Sequence, residues 1–132
     1  MSRKTARETA FKLIYEFTVC GRANDLTYKN LTSSEDFSSD DLLYIGAVYR
    51  GAVENYDTIL ALIGKNTEGY KLERIYKVDL AILILAIYEI KFLGEISDAV
   101  SVNEAVELAK TFSTDKSYSF VNGILAKVIA GK

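Results

Sequence analysis

Residues 119–128 read SFVNGILAKV, and an Asn-Gly pair between apolar runs is the strongest short-range signal for a β-hairpin turn. A hairpin requires residues on both sides of the pair to alternate between apolar and polar. After Gly123 they do not: Val121, Ile124, Leu125 and Val128 are spaced three and four apart, and Gly131 stands past the end, the pattern of one helix face with a C-terminal stop. The segment is therefore a helix with a glycine inside it. Gly123 falls on the ridge of Phe120 and Lys127, beside the apolar stripe. Its missing side chain leaves the Phe120 ring room and opens the backbone to close approach.

The same spacing recurs outward from there. Ala6, Ala10, Leu13 and Phe17 line one face of a first helix over residues 3–20, stopped at Gly21. Residues 21–39 are polar and irregular, with one short helix expected around Leu26 to Leu31. Ser38 or Ser39, followed by Asp40 and Asp41, marks the next helix start, since carboxylates favour the positive end of the helix dipole. From there Ile45, Val48, Ala52, Tyr56, Ile59 and Ile63 keep the helical rhythm to Gly64, through Gly46 and Gly51. Each internal glycine costs about 1 kcal/mol relative to alanine, so close helix packing is expected at both. Gly69 and a short turn KLERI precede KVDLAILILAIYEIKFL, which is apolar on nearly every side and so belongs at the centre of the fold. Ser101 and Glu104 have capping-box spacing and predict a helix over 102–112. With no proline and no alternating segment, the fold class is all-α.

Composition narrows the chemistry. At 132 residues and 49% hydrophobic, the chain suits one domain with its own core. The longest apolar stretch is broken by Asp79 and Glu89, so no membrane span is expected; the basic start carries Glu8 and Glu16, unlike a secretory signal. A cytoplasmic location is the default. A single cysteine, Cys20, leaves no internal disulfide, and the absence of histidine removes the commonest general base and metal ligand. No catalytic residue, metal or cofactor is expected. Asp79, Glu89, Glu104 and Glu107 are the only carboxylates that suggest acid–base pairs, and Glu104 is assigned to the cap. The net charge of −2 means that any nucleic-acid surface must be local.

Two clusters suit such a surface. Lys4, Arg7, Phe11 and Tyr15 fall within about a quarter-circle on the first helix, and Arg3 adds a third cation. Cations beside aromatic rings suit RNA, because the former meet phosphate while the latter stack on unpaired bases. The alternative is a solvated helix start with Tyr15 at the core edge. The second cluster, in TDKSYSFVNG, sets Lys116, Tyr118 and Phe120 after an N-cap expected at Ser113 or Thr114, where a helix N-terminus and two rings suit a phosphate and a base. Ordinary packing of Phe120 is the alternative there. The stripe drawn by Val121, Ile124, Leu125 and Val128 leaves Phe120 off the core, and the three N-terminal cations are likewise expected outside it.

ARETAFKLIYEF, KVDLAILILAIYEI, SVNEAVELAKTF and SFVNGIL, in this order and spacing, resemble the NusB family of bacterial transcription antitermination factors over nearly the whole chain. The resemblance implies about seven helices in two small bundles, over about 1–66 and 70–132. It further implies binding, with ribosomal protein NusE and within an elongation complex of other Nus factors, to boxA-type single-stranded RNA of ribosomal RNA leaders. It carries an RNA-binding role to Arg3, Lys4, Arg7, Tyr15, Tyr118 and Phe120, with Lys116 where the family commonly has an acidic residue. Ile84 stands at a usual arginine and Ser97 at a frequent proline. Pairing with NusE is expected through the C-terminal helices. There KVDLAILILAIYEIKFL offers apolar surface, with Tyr88 and Phe92 on one ridge. A protein-interaction module or homodimer that buries the RNA face is the competing reading.

Overall fold

The computed structural model describes residues 2–67 and 71–132. Gly69, expected as a break, lies outside them. Helix α1 spans Arg3–Cys20, α2 Asp25–Ser33, α3 Ser39–Glu54 and α4 Tyr56–Lys65. A 3₁₀ turn at Leu72–Arg74 leads into α5, Lys77–Tyr88, which widens into a π-helical turn over Glu89–Leu93. Helices α6, Asp98–Phe112, and α7, Ser117–Ala130, complete an all-α fold. The hairpin alternative at Asn122-Gly123 is excluded, since both lie inside α7.

Local chemistry sets most of the boundaries. The Ser2 hydroxyl accepts from the Thr5 amide at the start of α1, and Gly21 ends it in the left-handed region at φ 78°, a conformation that costs glycine nothing. Asn24 caps α2 and Ser38 caps α3. The long rhythm that runs to Gly64 is divided at Asn55, whose side-chain amide donates to the Gly51 carbonyl at 2.8 Å. Ser97 caps α6, its hydroxyl accepting from the Val100 amide at 3.2 Å. The start expected at Ser101 is therefore four residues late, and Ser101 and Glu104 are helix-interior residues with another task. The cap expected for α7 at Ser113 or Thr114 is not there either. The helix begins at Ser117 without a side-chain cap, because the Ser113 and Ser117 hydroxyls donate to the Asp79 carboxylate.

Helix α5 contacts α1, α3, α4, α6 and α7, and every residue from Asp79 to Ile87 is buried. Its lack of a polar face is thereby explained, and Ile84 sits fully buried within it. The uncovered apolar surface expected on this segment narrows to Phe92, which is 42% exposed and stacked on half-buried Tyr88 with ring centroids 5.2 Å apart. Both glycines of α3 are sites of close approach. A Cβ on Gly51 would run into the Tyr88 ring and hydroxyl, and one on Gly46 would press on the Arg50 and Tyr28 side chains.

Gly123 has the opposite surroundings: it is exposed, and an added Cβ would meet nothing within 4 Å. Gly123→Ala should therefore raise stability by about 1 kcal/mol, whereas Gly51→Ala should lower it by about 1–3 kcal/mol through overpacking. Urea unfolding followed by circular dichroism measures both.

Candidate nucleic-acid interface

The N-terminal cations do not share one environment. Arg7 is only 5% exposed. Its Nε donates to Glu89 Oε2 at 2.8 Å and its Nη2 reaches Oε1 at 3.4 Å, while Nη1 lies 3.5 Å from Glu104. Glu89, 1% exposed, also accepts from the Tyr44 hydroxyl and, at 2.8 Å, from Ser101. One buried carboxylate thus ties together α1, α3 and α6. This corrects the expectation that Arg7 lies outside the core, and in place of the expected capping box Ser101 donates to Glu89 and Glu104 pairs with Arg7. Burial works against the charged guanidinium, but the hydrogen bond to Glu89 and the surrounding negative charge outweigh it and hold the Arg7 pKa above its ordinary value. Burial, reinforced by Glu89, likewise pushes the Tyr44 phenol up, so it stays a protonated donor.

Arg3, one turn earlier, is half-exposed. Its Nε donates to Asp41 at 2.8 Å and its guanidinium lies 4.6 Å from the centre of the Tyr44 ring. Lys4 is exposed at a shallow recess lined also by Glu104, Glu107 and Thr111. The ridge Lys4–Arg7–Phe11–Tyr15 dips inward at its middle, where Phe11 is buried against Phe112 of α6 with centroids 5.2 Å apart. Its ends, Lys4 and Tyr15, face solvent.

Two further cations extend this face. Lys12 Nζ lies 5.8 Å from the centre of the Phe112 ring and Lys110 Nζ lies 5.2 Å from that of Tyr118; both lysines and Tyr118 are exposed. Neither lysine stood out in the sequence. Lys12 is about 80° around α1 from Lys4, outside the arc first drawn, and Lys110 reaches the aromatic cluster only through α6–α7 packing. Lys116 immediately precedes α7 and lines a cleft with Phe120. Phe120 is half-buried and packed against the core, so it is less free than its position off the apolar stripe suggested. Among the described residues no group of His, Cys, Asp or Glu is arranged to hold a metal ion, and no helix is long and apolar enough to cross a membrane.

This geometry has known counterparts. The NusB family model matches residues 4–130. Transcription antitermination protein NusB of Acetivibrio thermocellus is 44% identical over 132 residues, covering all of this chain and 91% of that protein. The solved structure of T. maritima NusB superposes with a TM-score of 0.87 at 30% identity, over 98% of this chain and 92% of that one. A crystal structure of antitermination factors NusB and NusE in complex with dsRNA superposes with a TM-score of 0.88 at 25% identity, over 98% and 97%.

The two kinds of cation separate in a stability measurement. Arg7→Ala leaves Glu89 charged and buried without its partner and should cost about 3–5 kcal/mol, whereas Lys4→Ala should stay within about 0.5 kcal/mol of the unsubstituted chain. Thermal and urea unfolding of the two variants check this.

Proposed function

The chain belongs to the NusB family, and from that premise we propose that it is a non-catalytic, cytoplasmic RNA-binding antitermination factor that joins NusE on boxA-type single-stranded RNA of nascent ribosomal transcripts, within an elongation complex of other Nus factors. The observation that carries this is the exposed series Lys4, Lys12, Tyr15, Lys110, Tyr118 and Lys116 on a chain whose net charge is −2. Cations interleaved with aromatic rings provide phosphate contacts and stacking platforms, the two requirements of single-strand binding. Arg3, half-exposed beside Asp41, contributes at the rim. Arg7 acts from beneath, by fixing the helix that displays the others, and Phe120 supports the α7 end. So few cations give modest affinity from one protein alone, and a shared surface with NusE adds to it.

For NusE itself the best-supported docking surface is a groove of about 440 Å³ lined by Leu43, Ala47, Leu93 and Ile96, with Arg3, Asp40 and Glu95 at its polar edge. Leu43 is 71% exposed, and Phe92, stacked on Tyr88, belongs to the same π-helical turn as Leu93. Large apolar side chains left in solvent around a concave surface mark protein contact.

The test is a fluorescence-anisotropy titration of boxA-type single-stranded RNA at several salt concentrations. Lys4→Ala with Lys12→Ala should weaken binding and flatten the log–log salt dependence by about 1.4, two phosphates at about 0.7 each, with the melting temperature unchanged. NusE should tighten binding of the unsubstituted chain. An unchanged salt slope in the double variant, or no effect of NusE, would contradict the corresponding part of the reading.

A further inference from the structure

The first turn of α1 belongs to two surfaces at once. Arg3 lines the apolar groove together with Tyr44 and Leu93, while Lys4, the next residue, and Arg7, one turn on, line the recess beside Glu104 and Glu107. Resting on the RNA- and NusE-binding reading above, we propose that this turn couples the two surfaces and that Tyr44 is its positioning residue. An occupied groove fixes Tyr44, Tyr44 fixes the start of α1, and the cations displayed there meet RNA already ordered.

Tyr44 is buried, and its ring serves both arginines of the turn. The Arg3 guanidinium lies 4.6 Å from the ring centre and that of Arg7 lies 5.5 Å from it, within the range of a cation–ring attraction. Its hydroxyl donates to the same Glu89 oxygen that accepts from Arg7 Nε. One side chain therefore touches the groove, the outer arginine and the buried pair beneath. Glu89 also opens the π-helical turn that ends at Leu93, and Leu93 returns to the groove wall. The groove is thus joined to the Arg7–Glu89 pair from two sides, through Tyr44 of α3 and through the backbone that follows α5.

The turn is also built to respond. Arg3 and Lys4 stand at the positive end of the α1 dipole with no carboxylate in the first turn, an arrangement that loosens a helix start. It is offset by the Ser2 hydroxyl, which accepts from the Thr5 amide at 3.3 Å, and by the Arg3–Asp41 pair at 2.8 Å, in which the Arg3 side chain is 42% exposed. Such a pair contributes little in water. An occupant of the groove displaces water from Arg3 and strengthens both its ion pair and its attraction to the Tyr44 ring. A turn stiffened in this way loses less freedom when Lys4 docks on a phosphate, so RNA binds more tightly with no change in its own contacts. Linkage then requires RNA to tighten binding in the groove by the same factor.

The test is the ratio of the full chain's affinity for boxA-type single-stranded RNA with saturating NusE to that without it, measured by fluorescence anisotropy. Amide hydrogen exchange with NusE in the absence of RNA accompanies it. The unsubstituted chain should show a ratio of at least about five, and NusE should slow exchange at residues 5–9. Tyr44→Phe keeps the ring against Arg3 and removes the donor to Glu89, and Asp41→Asn weakens the hold on Arg3. Each should cut the ratio at least about twofold and abolish the added protection, whereas a purely structural role would lower the melting temperature and leave the ratio alone. An unsubstituted ratio in both variants would overturn the coupling, assign the effect of NusE to its own contacts with RNA, and leave the proposed function standing. Unchanged exchange at residues 5–9 in the unsubstituted chain would overturn it too, without reliance on any variant folding. A ratio of one in the unsubstituted chain would overturn the NusE part of the proposed function and this inference with it.

Discussion

Glu89 is a carboxylate with almost no contact with water, and the rest of the structure is arranged around satisfying it. A charge in such a place is strongly destabilising unless it is paired and hydrogen-bonded. Here Arg7, Tyr44 and Ser101 all donate to it, and they come from α1, α3 and α6. The π-helical turn begins at the same residue, and an extra residue per turn re-aims side chains at the place where an ordinary α-helix would continue. The neighbouring core is apolar and non-directional. This cluster is directional, and it sets how α1 is oriented against the helices that flank it.

That orientation is what gives the surface its charge pattern. With Arg7 turned inward and Phe11 covered by Phe112, Lys4, Lys12 and Tyr15 of α1 are left facing solvent, Lys12 beside the Phe112 ring of α6. The division between an inward and an outward cation within one helical turn means that a basic cluster in sequence is not one electrostatic unit in space. Arg7 contributes to the fold, and Lys4 to the external field.

Much of this was legible from residue spacing. Helix α1, the buried α5 and the helical reading of Asn122-Gly123 follow from local periodicity, and the glycine contacts at α3 follow from the energetic cost of glycine in a helix. The misreadings share a different cause. Ser101 and Glu104 have the spacing of a cap, but their side chains are claimed by Glu89 and Arg7, partners 12 and 97 residues away in the chain. Likewise Ser113 and Thr114 read as caps, while Ser113 is committed to Asp79. In each case a long-range polar contact overrode a local one. The candidate site was legible as two clusters; Lys12 and Lys110 were not, because they meet the rings of Phe112 and Tyr118 only through packing between helices.

The Arg7–Glu89 pair fixes α1 as a coupled unit. A double-mutant cycle with Arg7→Met and Glu89→Met, measured by urea unfolding, tests it most directly. Each single variant strands a buried charge while the double variant removes both, so a coupling energy of about 2–3 kcal/mol is expected, with a double variant more stable than at least one single variant. Additive losses within about 0.5 kcal/mol would contradict it, and would mean that α1 is held by its apolar face alone.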